Sequence, residues 1–513
     1  MFLPTKMVAV RVYVYGDKLN ELLYELGRLK CFHFSDARKT LKDVQYVETK
    51  DTLFRINNLI SRLNSIITLL KIKVKDEEVS IPTGDLNTYL NEVEKEVERI
   101  ESYIAHARSE STELERKEYE RELAKIVEEK EKTISSMFNT LTAVKAMEEA
   151  KGFMARIKTI YVFEGYIPEE KVKEVSACIE RHMGYIKILP ETGESIPAVA
   201  TYPKALEAFH KLISAYKPLN GREIDPTIIF AFTFSLIFGM MFGDVGHGLL
   251  ILLFGILFSW IRRRMPKEPG GIVGYVLKGA PLLIACAITS IIFGFLYGEL
   301  FGSHEWFATL TGLHEPLWFS PLEHPMMMIK YAILIGTFHI SLGLIINLVN
   351  KLLNREYKEA LSPLLWIWLY WSGSYLVFTY GWGVFKMILN LEIIIPFVFL
   401  PLGAMAVSNI VLHGTEGVAE SMEQFLSSIS HTVSYLRIVA LNMAHGLLSK
   451  LILPASPVGF IAFVLGTLFL ILGLEQFLAF LHTLRLHWVE WFSKFYTGTD
   501  VEYKPFSLGI SRG

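Results

Sequence analysis

The sequence predicts a mainly α-helical protein with an eight-helix polytopic membrane domain and a cytoplasmic N-terminal arm. Three observations support this fold class. Charged residues crowd into the first half of the chain, and the second half contains repeated apolar runs of the ~20 residues that a membrane-spanning helix needs. The composition is also apolar, with 51% hydrophobic residues and a mean hydropathy of +0.34. We place the arm at residues 1–222 and the membrane domain at residues 223–513.

The arm is predicted to contain a small α/β lobe built from both ends of the segment. Valine-rich alternation predicts a strand over Met7–Tyr15, and similar patterns predict strands over residues 157–166 and 185–189. Amphipathic helices are expected over residues 18–29 and 168–182, the second opening on Pro168, since proline is favoured in a first helical turn.

Between the strands, two rows of aliphatic residues predict a coiled-coil hairpin, because they recur at spacings of three and four. The hairpin is expected to turn near residues 81–84. A charged, largely helical stretch over about residues 111–147 then returns the chain to the lobe. The two rows are Leu53, Ile56, Ile60, Leu63, Ile67 and Leu70, and Leu90, Val93, Val97, Ile100 and Ile104.

The membrane domain begins with two short spans, separated by the glycine-rich residues 243–248. Asp244 and His247 lie at this break and could simply cap a broken helix. Lysine and arginine follow the second and fourth spans, whereas residues 302–325 contain neither, so the positive-inside rule predicts cytoplasmic N- and C-termini. The eight spans are expected at residues 225–242, 249–260, 272–301, 325–352, 361–385, 393–413, 417–451 and 457–494.

The last two predicted spans are unusually long. Helices of ~35 residues measure ~50 Å, which exceeds the ~30 Å hydrocarbon core of a bilayer. We therefore expect both C-terminal helices to be strongly tilted or to protrude.

The clearest functional signal is an arginine within an apolar helix. Arg437 keeps its charge at any attainable pH, and a charge at membrane depth costs at least ~2.5–3.5 kcal/mol. Helical spacing places it on one polar face with an acidic residue and several serines. An ion pair with a neighbouring helix of the same chain is the alternative, while apolar residues on both sides argue against snorkelling. This polar stripe consists of Glu423, Ser427, Ser430, Ser434 and Arg437.

The last predicted span also carries ionisable residues. Glu475 and His482 are seven residues apart and therefore share a helix face, and Arg485 follows three residues later. The alternative is that Arg485 and His487 are basic anchors at the cytoplasmic interface.

Several classes of function are disfavoured. A net charge of −2 argues against a nucleic-acid partner, and we find no glycine-rich phosphate loop or catalytic-triad order. Cys31, Cys178 and Cys286 show neither disulfide pairing nor metal-ligand spacing, so we expect no metal and no cofactor. The N-terminus lacks a basic segment followed by an apolar run, so we predict no cleaved signal peptide.

Five segments of the chain carry a resemblance to a known family. They are EIDPT at 223–227, FGMMFGDVGHG at 238–248, SHTVSYLRIVALNMAHGLLS at 430–449, LHTLRLHWVEWFSKFYTG at 481–498 and, less specifically, VFEGYIP at 162–168. The most specific motifs are SYLR and LRLHWVE, in that order and within predicted membrane helices. In these segments the chain resembles the membrane stator subunit of rotary V-type and A-type ATPases, called subunit a in vacuolar enzymes and subunit I in archaeal and bacterial ones.

The resemblance implies that Arg437 faces the ring of proteolipid subunits and that Arg485 is the family's second arginine. Glu423, His445 and Glu475 would line two offset aqueous half-channels. The chain would couple H⁺ or Na⁺ translocation to rotation, while other subunits synthesise or hydrolyse ATP. The predicted ion-translocation residues are Arg437, Arg485, Glu423, Glu475, His445, His482, Ser430 and Ser434, with Asp244 and His247 as a helix-break motif.

The resemblance also implies partners and a location. The partners would be the proteolipid c/K ring, the peripheral-stalk E/G (H) subunits, the central-stalk subunit d/C and, indirectly, the catalytic A and B subunits, in a prokaryotic plasma membrane. The arm differs from the family pattern because it lacks a second, distal globular lobe. One alternative is a self-contained secondary transporter or channel with a regulatory coiled-coil arm, a class that favours inverted repeats. Another is a scaffold or assembly factor, which would not need the polar stripe.

Overall fold

The computed structural model describes residues 4–36, 45–72, 74, 85–109, 116–190, 196–200, 202–265, 270–380, 391–454 and 457–509. Within these residues the chain is mainly helical. It divides into two compact units, which we call the lobe unit and the helical unit. The lobe unit comprises Thr5–Val199 and Glu502–Gly513, and the helical unit comprises Met1–Pro4 and Ala200–Val501.

An antiparallel sheet forms the centre of the lobe unit. Its strands are β1 (Met7–Tyr15), β2 (His33–Ser35), β3 (Gln45–Tyr46), β4 (Ala155–Ile157), β5 (Ile160–Pro168) and β6 (Tyr185–Ile188). They are ordered β3-β4-β5-β1-β6, and β2 also pairs with β5. The strands β1 and β5 pair along their whole length, so the two ends of the arm segment build one sheet.

Helices α1 (Gly16–Leu29) and α5 (Val172–Arg181) pack on this sheet. The alternation in β1 turns Val10, Val12 and Val14 into the shared core. The helix predicted over 168–182 begins later than expected, because Pro168 is the last residue of β5 and pairs with Met7. It also caps a 3₁₀ turn, Glu169–Lys171, that leads directly into α5. A proline φ angle suits an extended strand end as well as a first helical turn.

Three helices form a second core in the lobe unit: α2 (Lys50–Leu70), α3 (Leu86–Ser109) and α4 (Arg116–Lys151). The predicted row on α3 is fully buried. On α2 only half of the predicted row is buried, together with two residues outside it, and the other half is partly buried. The buried residues are Ile56, Leu59, Leu63, Ile66 and Leu70, and the partly buried ones are Leu53, Ile60 and Ile67. The buried stripe is wide because α4 packs on α2 beside α3. The predicted turn at residues 81–84 lies outside the described residues.

The helical unit consists of consecutive helices in its described residues. They are α6 (Glu207–Tyr216), α7 (Thr227–Met241), α8 (Val245–Arg264), α9 (Gly271–Lys278), α10 (Ala280–Tyr297), α11 (His304–Thr311), α12 (Pro325–Leu353), α13 (Leu361–Tyr380), α14 (Ile395–His413), α15 (Glu416–Ser434), α16 (Leu436–Ile452) and α17 (Gly459–Lys494). Among the described residues, five helices are long and apolar enough to cross a membrane: α8, α10, α12, α14 and α17.

Three of the eight predicted spans are not among these five helices, and each differs from a full span for a local reason. α7 has 15 residues, fewer than the ~20 of a full span. α13 is rich in tryptophan, tyrosine and serine, which lower its hydropathy. The single span predicted at 417–451 is two helices that meet at Tyr435, and it carries several charged side chains.

The break between α7 and α8 is shorter than the sequence indicates. α8 begins at Val245, so most of the glycine-rich motif forms its first turn. α17 contains two π-helical segments, Thr467–Glu475 and Leu486–Trp491, and such widened turns are frequent at functional sites.

Glu223 gives a prediction about pH dependence. Its carboxylate, which precedes α7, accepts hydrogen bonds from the backbone N–H groups of Thr497 and Gly498. Burial nevertheless raises its pKa above the ordinary value of 4.5. The folded state therefore binds more protons than the unfolded state between these two pKa values, and stability falls as the pH rises through that window.

We expect Glu223→Gln, which cannot ionise, to remove this contribution to the pH dependence of the thermal unfolding midpoint. Glu502→Gln, at an exposed position, is the matched control. A Glu223→Gln midpoint that varies with pH as strongly as the wild type would show that Glu223 does not titrate in this way.

Candidate functional site

Arg437 lies in the first turn of α16 and has an acidic partner within the chain. Its Nη1 atom donates a hydrogen bond to Oε1 of Glu490 at 3.2 Å. The Glu490 side chain is only 2% exposed, whereas that of Arg437 is 25% exposed. Oε2 of Glu490 is buried and has no hydrogen-bond partner among the described residues. Glu490 thus contacts the guanidinium from the protein interior, and part of the Arg437 side chain remains accessible to solvent.

The predicted polar stripe lies on an open surface of the helical unit. Glu423 and Ser430 are exposed, and Ser434 is partly exposed. The apolar side chains of Ile429 and Val433 beside them are 52% and 57% exposed. This surface, which we call the stripe face, combines polar groups and exposed apolar side chains as a partner-binding or lipid-facing surface does.

A second group of predicted residues meets in the interior of the helical unit. His247 Nδ1 lies 3.2 Å from Asp244 Oδ1, and His445 Nδ1 lies 3.2 Å from Glu475 Oε2. The centroids of the two imidazole rings are 5.2 Å apart. We call Asp244, His247, His445 and Glu475 the buried cluster, and all four side chains are almost completely buried.

The buried cluster is short of hydrogen bonds. Both ring nitrogens of His247 and His445 and both carboxylate oxygens of Glu475 have no hydrogen-bond partner among the described residues. The 3.2 Å contacts are therefore ion-pair distances rather than aligned hydrogen bonds. Buried polar atoms without partners are few in native proteins and are normally satisfied by water or an ion. The arrangement can hold water or exchange protons.

Asp244 also has the capping role that the sequence left as the alternative. Its Oδ1 accepts hydrogen bonds from the N–H groups of His247 at 2.9 Å and Phe301 at 3.0 Å, and its Oδ2 accepts one from Gly302 at 2.6 Å. Gly302 has a φ of +72°, and a Cβ there would lie 2.2 Å from that of Ser449. One potential metal-ligand atom from each of Asp244, His247 and His445 lies within 4.8 Å of the other two. The carboxylate of Asp244, however, already accepts three hydrogen bonds from backbone N–H groups.

The basic residues of α17 divide into two environments. Arg485 is exposed and His482 is partly exposed. The hypothesis that His487 is an interfacial anchor is wrong, because its ring is fully buried with Nε2 3.0 Å from the Thr233 hydroxyl. The π-helical segment that contains His487 turns it toward α7.

Glu490 and Lys494 are functional candidates that were not predicted from the sequence, although both lie in the segment 481–498. Lys494 is 4% exposed, and its Nζ atom lies 4.1 Å from the ring centroid of Trp366. Both residues could have been identified from the sequence, because they are ionisable and lie within an apolar helix. An ionisable residue at membrane depth is a functional candidate by default.

Taken together, the fold and the site define a mainly helical, multi-pass membrane protein with a fixed cation at the edge of an open polar face. Residues 152–310 and 404–508, more than half of the chain, match the model of the V-type ATPase 116kDa subunit family. The chain belongs to this family, which confirms the resemblance found in its motifs.

Named relatives agree with this assignment. The chain is 26% identical over 544 residues to the A-type ATP synthase subunit I of Methanocaldococcus jannaschii, covering 96% of this chain and 74% of the relative. It is 28% identical to the A-type ATP synthase subunit I of Thermococcus kodakarensis, covering 69% of this chain and 55% of the relative. It is 24% identical to the vacuolar proton translocating ATPase 100 kDa subunit of Dictyostelium discoideum, covering 67% of this chain and 58% of the relative. The chain thus spans little more than half the length of the last two.

Proposed function

We propose that the chain is the membrane stator subunit of a rotary V/A-type ATPase. In this function it forms two aqueous half-channels against a proteolipid ring and couples H⁺ or Na⁺ translocation to rotation. The observation that carries the proposal is Arg437, a permanent cation held by Glu490 at the edge of the stripe face. Membership of the V-type ATPase 116kDa subunit family supports it.

Arg437 would act on a carboxylate of the ring. A carboxylate that arrives beside a guanidinium is favoured in its charged form, so it releases its bound ion. The same positive charge repels a free cation and prevents a direct leak between the half-channels. The ring carboxylate must be neutralised again before rotation carries it into lipid, where a bare charge is costly. Each ion therefore has to drive rotation in order to cross.

The two half-channels would use the two residue groups of the site. The buried cluster offers unpaired nitrogens and oxygens to water on one side. Glu423, Ser430 and Ser434 offer polar groups along the stripe face on the other. In this arrangement Arg485, which is exposed on α17, extends the positive field of Arg437, and His482 adds a partly exposed polar side chain beside it.

The remaining parts of the proposal concern assembly. We assign residues 1–222 to a cytoplasmic stator arm, with its long helices as a coiled-coil strut, and residues 223–513 to the translocating domain with eight spans and two tilted C-terminal helices. The partners are the c/K ring, the peripheral-stalk E/G (H) subunits, the central-stalk subunit d/C and, through these, the catalytic A and B subunits. Both termini would be cytoplasmic and the membrane a prokaryotic plasma membrane.

A comparison of two preparations tests this function against the transporter alternative. Vesicles that contain the whole complex are expected to take up ions only when ATP is supplied. Liposomes that contain the purified chain alone are expected to show no substrate- or gradient-driven exchange. Exchange by the chain alone, at a rate comparable with uptake by the complex, would favour the secondary transporter.

Glu490 provides a sharper prediction within this function. We expect Glu490→Gln to reduce ATP-driven uptake about tenfold, because a charge-assisted hydrogen bond worth ~1.5–3 kcal/mol no longer positions Arg437. Glutamine keeps the shape of the side chain, so assembly should be retained. Glu502→Gln should transport as the wild type does, and normal uptake by Glu490→Gln would exclude a positioning role for Glu490.

A further inference from the structure

Three potential metal ligands meet in the lobe unit and take no part in the proposed ion path. Cys178 lies on α5, and His182 follows one turn later, at the residue that caps this helix. Residues four apart on a helix share a face. Glu25 on α1, which packs against α5, faces them. One donor atom from each of the three side chains lies within 4.8 Å of the other two.

The distances are close to those of a bound metal. Cys178 Sγ donates a hydrogen bond to Glu25 Oε2 at 3.3 Å. With Zn–S of ~2.3 Å, Zn–O of ~2.1 Å and tetrahedral angles, a sulfur and an oxygen on one zinc ion lie ~3.6 Å apart. A small side-chain rotation therefore converts the hydrogen-bonded pair into a pair of ligands.

The histidine makes the backbone contact that the second ring nitrogen of metal-binding histidines usually makes. His182 Nδ1 lies 2.9 Å from the carbonyl oxygen of Cys178. When Nδ1 donates its proton to that oxygen, Nε2 keeps the lone pair that a metal requires. The backbone of α5 thus fixes the tautomer as well as the direction of the ring.

Glu25 has one competing partner that can be displaced. Arg181 Nη2 lies 3.6 Å from Glu25 Oε2, and the Arg181 side chain is 66% exposed. An exposed ion pair of this kind contributes little to stability. Glu25 can therefore turn from the arginine to a divalent cation.

We propose that Glu25, Cys178 and His182 form a binding site for a divalent cation of the Zn²⁺ class, with water as the fourth ligand. Thiolate, imidazole and carboxylate are the ligands that Zn²⁺ prefers. On binding, the S–H bond of Cys178 is replaced by an S–Zn bond, and the proton leaves to solvent. The ion would link α1 to α5 on one side of the sheet.

The test uses the full chain, purified in detergent with its thiols reduced, and Co²⁺ as a spectroscopic substitute for Zn²⁺. We expect a thiolate-to-cobalt charge-transfer band that saturates at one equivalent and that Zn²⁺ abolishes. Cys178→Ser should lose the band, and Glu25→Gln and His182→Ala should weaken Co²⁺ binding at least tenfold. Cys286→Ser, at a buried cysteine of the helical unit, is the matched control and should keep the band.

The outcome is independent of the transport assays, so the site and the proposed function can fail separately. Unchanged circular dichroism and Zn²⁺-dependent thermal stabilisation of the wild type, absent in Cys178→Ser, would support the site. A band that persists in Cys178→Ser, or no band in the folded wild type, would overturn it.

Discussion

Arg437→Gln is expected to abolish ATP-driven ion uptake into inverted membrane vesicles while the complex still assembles. Glutamine retains hydrogen-bonding groups but lacks the charge. An arginine lowers the pKa of a neighbouring carboxyl group by ~1–3 units, so its loss reduces release of the ion from the ring by roughly 10- to 1,000-fold. Fluorescence quenching of a pH-sensitive dye, or ²²Na⁺ uptake for a sodium-translocating enzyme, measures the effect.

Two further variants separate the role of Arg437 from the stability of its ion pair. Lys450→Gln removes an exposed cation from the same helix, α16, and should leave uptake intact. The double variant Arg437→Gln/Glu490→Gln avoids leaving Glu490 as a buried, unpaired charge, which can cost 3–5 kcal/mol. We expect it to recover stability but not uptake. Full uptake by either Arg437 variant would make the pair structural and favour the scaffold alternative.

Asp244→Ala is expected to destabilise the helical unit by about 3–9 kcal/mol. The substitution leaves three backbone N–H groups, from His247, Phe301 and Gly302, without their acceptor. Each unsatisfied buried donor costs about 1–3 kcal/mol, and the lost bond to the His247 N–H is the N-cap of α8. The helix break and the loop after α10 should loosen together, because this one carboxylate joins them.

Thermal unfolding in detergent and the yield of folded protein measure this effect. Asp244→Asn, which keeps one carboxamide oxygen as an acceptor, should be intermediate. Asp17→Ala, in the first turn of α1 but without a capping hydrogen bond in the structure, is the control. An Asp244→Ala protein as stable as the wild type would show that the cap is dispensable. Transport could then be measured on it without a folding defect.

Local periodicity accounts for what the sequence predicted well. The strand β1 has the predicted bounds, the α3 row is buried as predicted, and the residues of the stripe face follow from helical spacing alone. These features depend on residues within a few turns of one another, where spacing and position in space correspond directly.

The buried cluster could not be assembled in this way. Asp244, His445 and Glu475 come from three helical segments about 200 and 30 residues apart in the sequence, and spacing within one helix carries no information about such pairs. The π-helical segments of α17 add a second obstacle, because they rotate the faces that a regular helix would present. Glu490, the partner of Arg437, lies in one of them.

The contact between the C-terminal residues and the lobe unit could not be predicted from local spacing either. The backbone N–H of Phe506 donates to the carbonyl oxygen of Phe32 at 2.7 Å, and Leu508 enters the core of the lobe. These residues are more than 470 positions apart in the sequence, and no local pattern in the C-terminal segment predicts the contact.

Disulfide cross-linking tests the central claim, that the stripe face meets the ring, most directly. Ser434→Cys and Ser430→Cys would be combined in turn with a cysteine placed beside the carboxylate of the ring subunit, in the assembled complex. We expect a cross-link that stops ATP-driven uptake until it is reduced, and no cross-link from Leu253→Cys, which is 60% exposed on α8. An assembled complex in which neither stripe variant cross-links to the ring would show that the stripe face does not meet the ring.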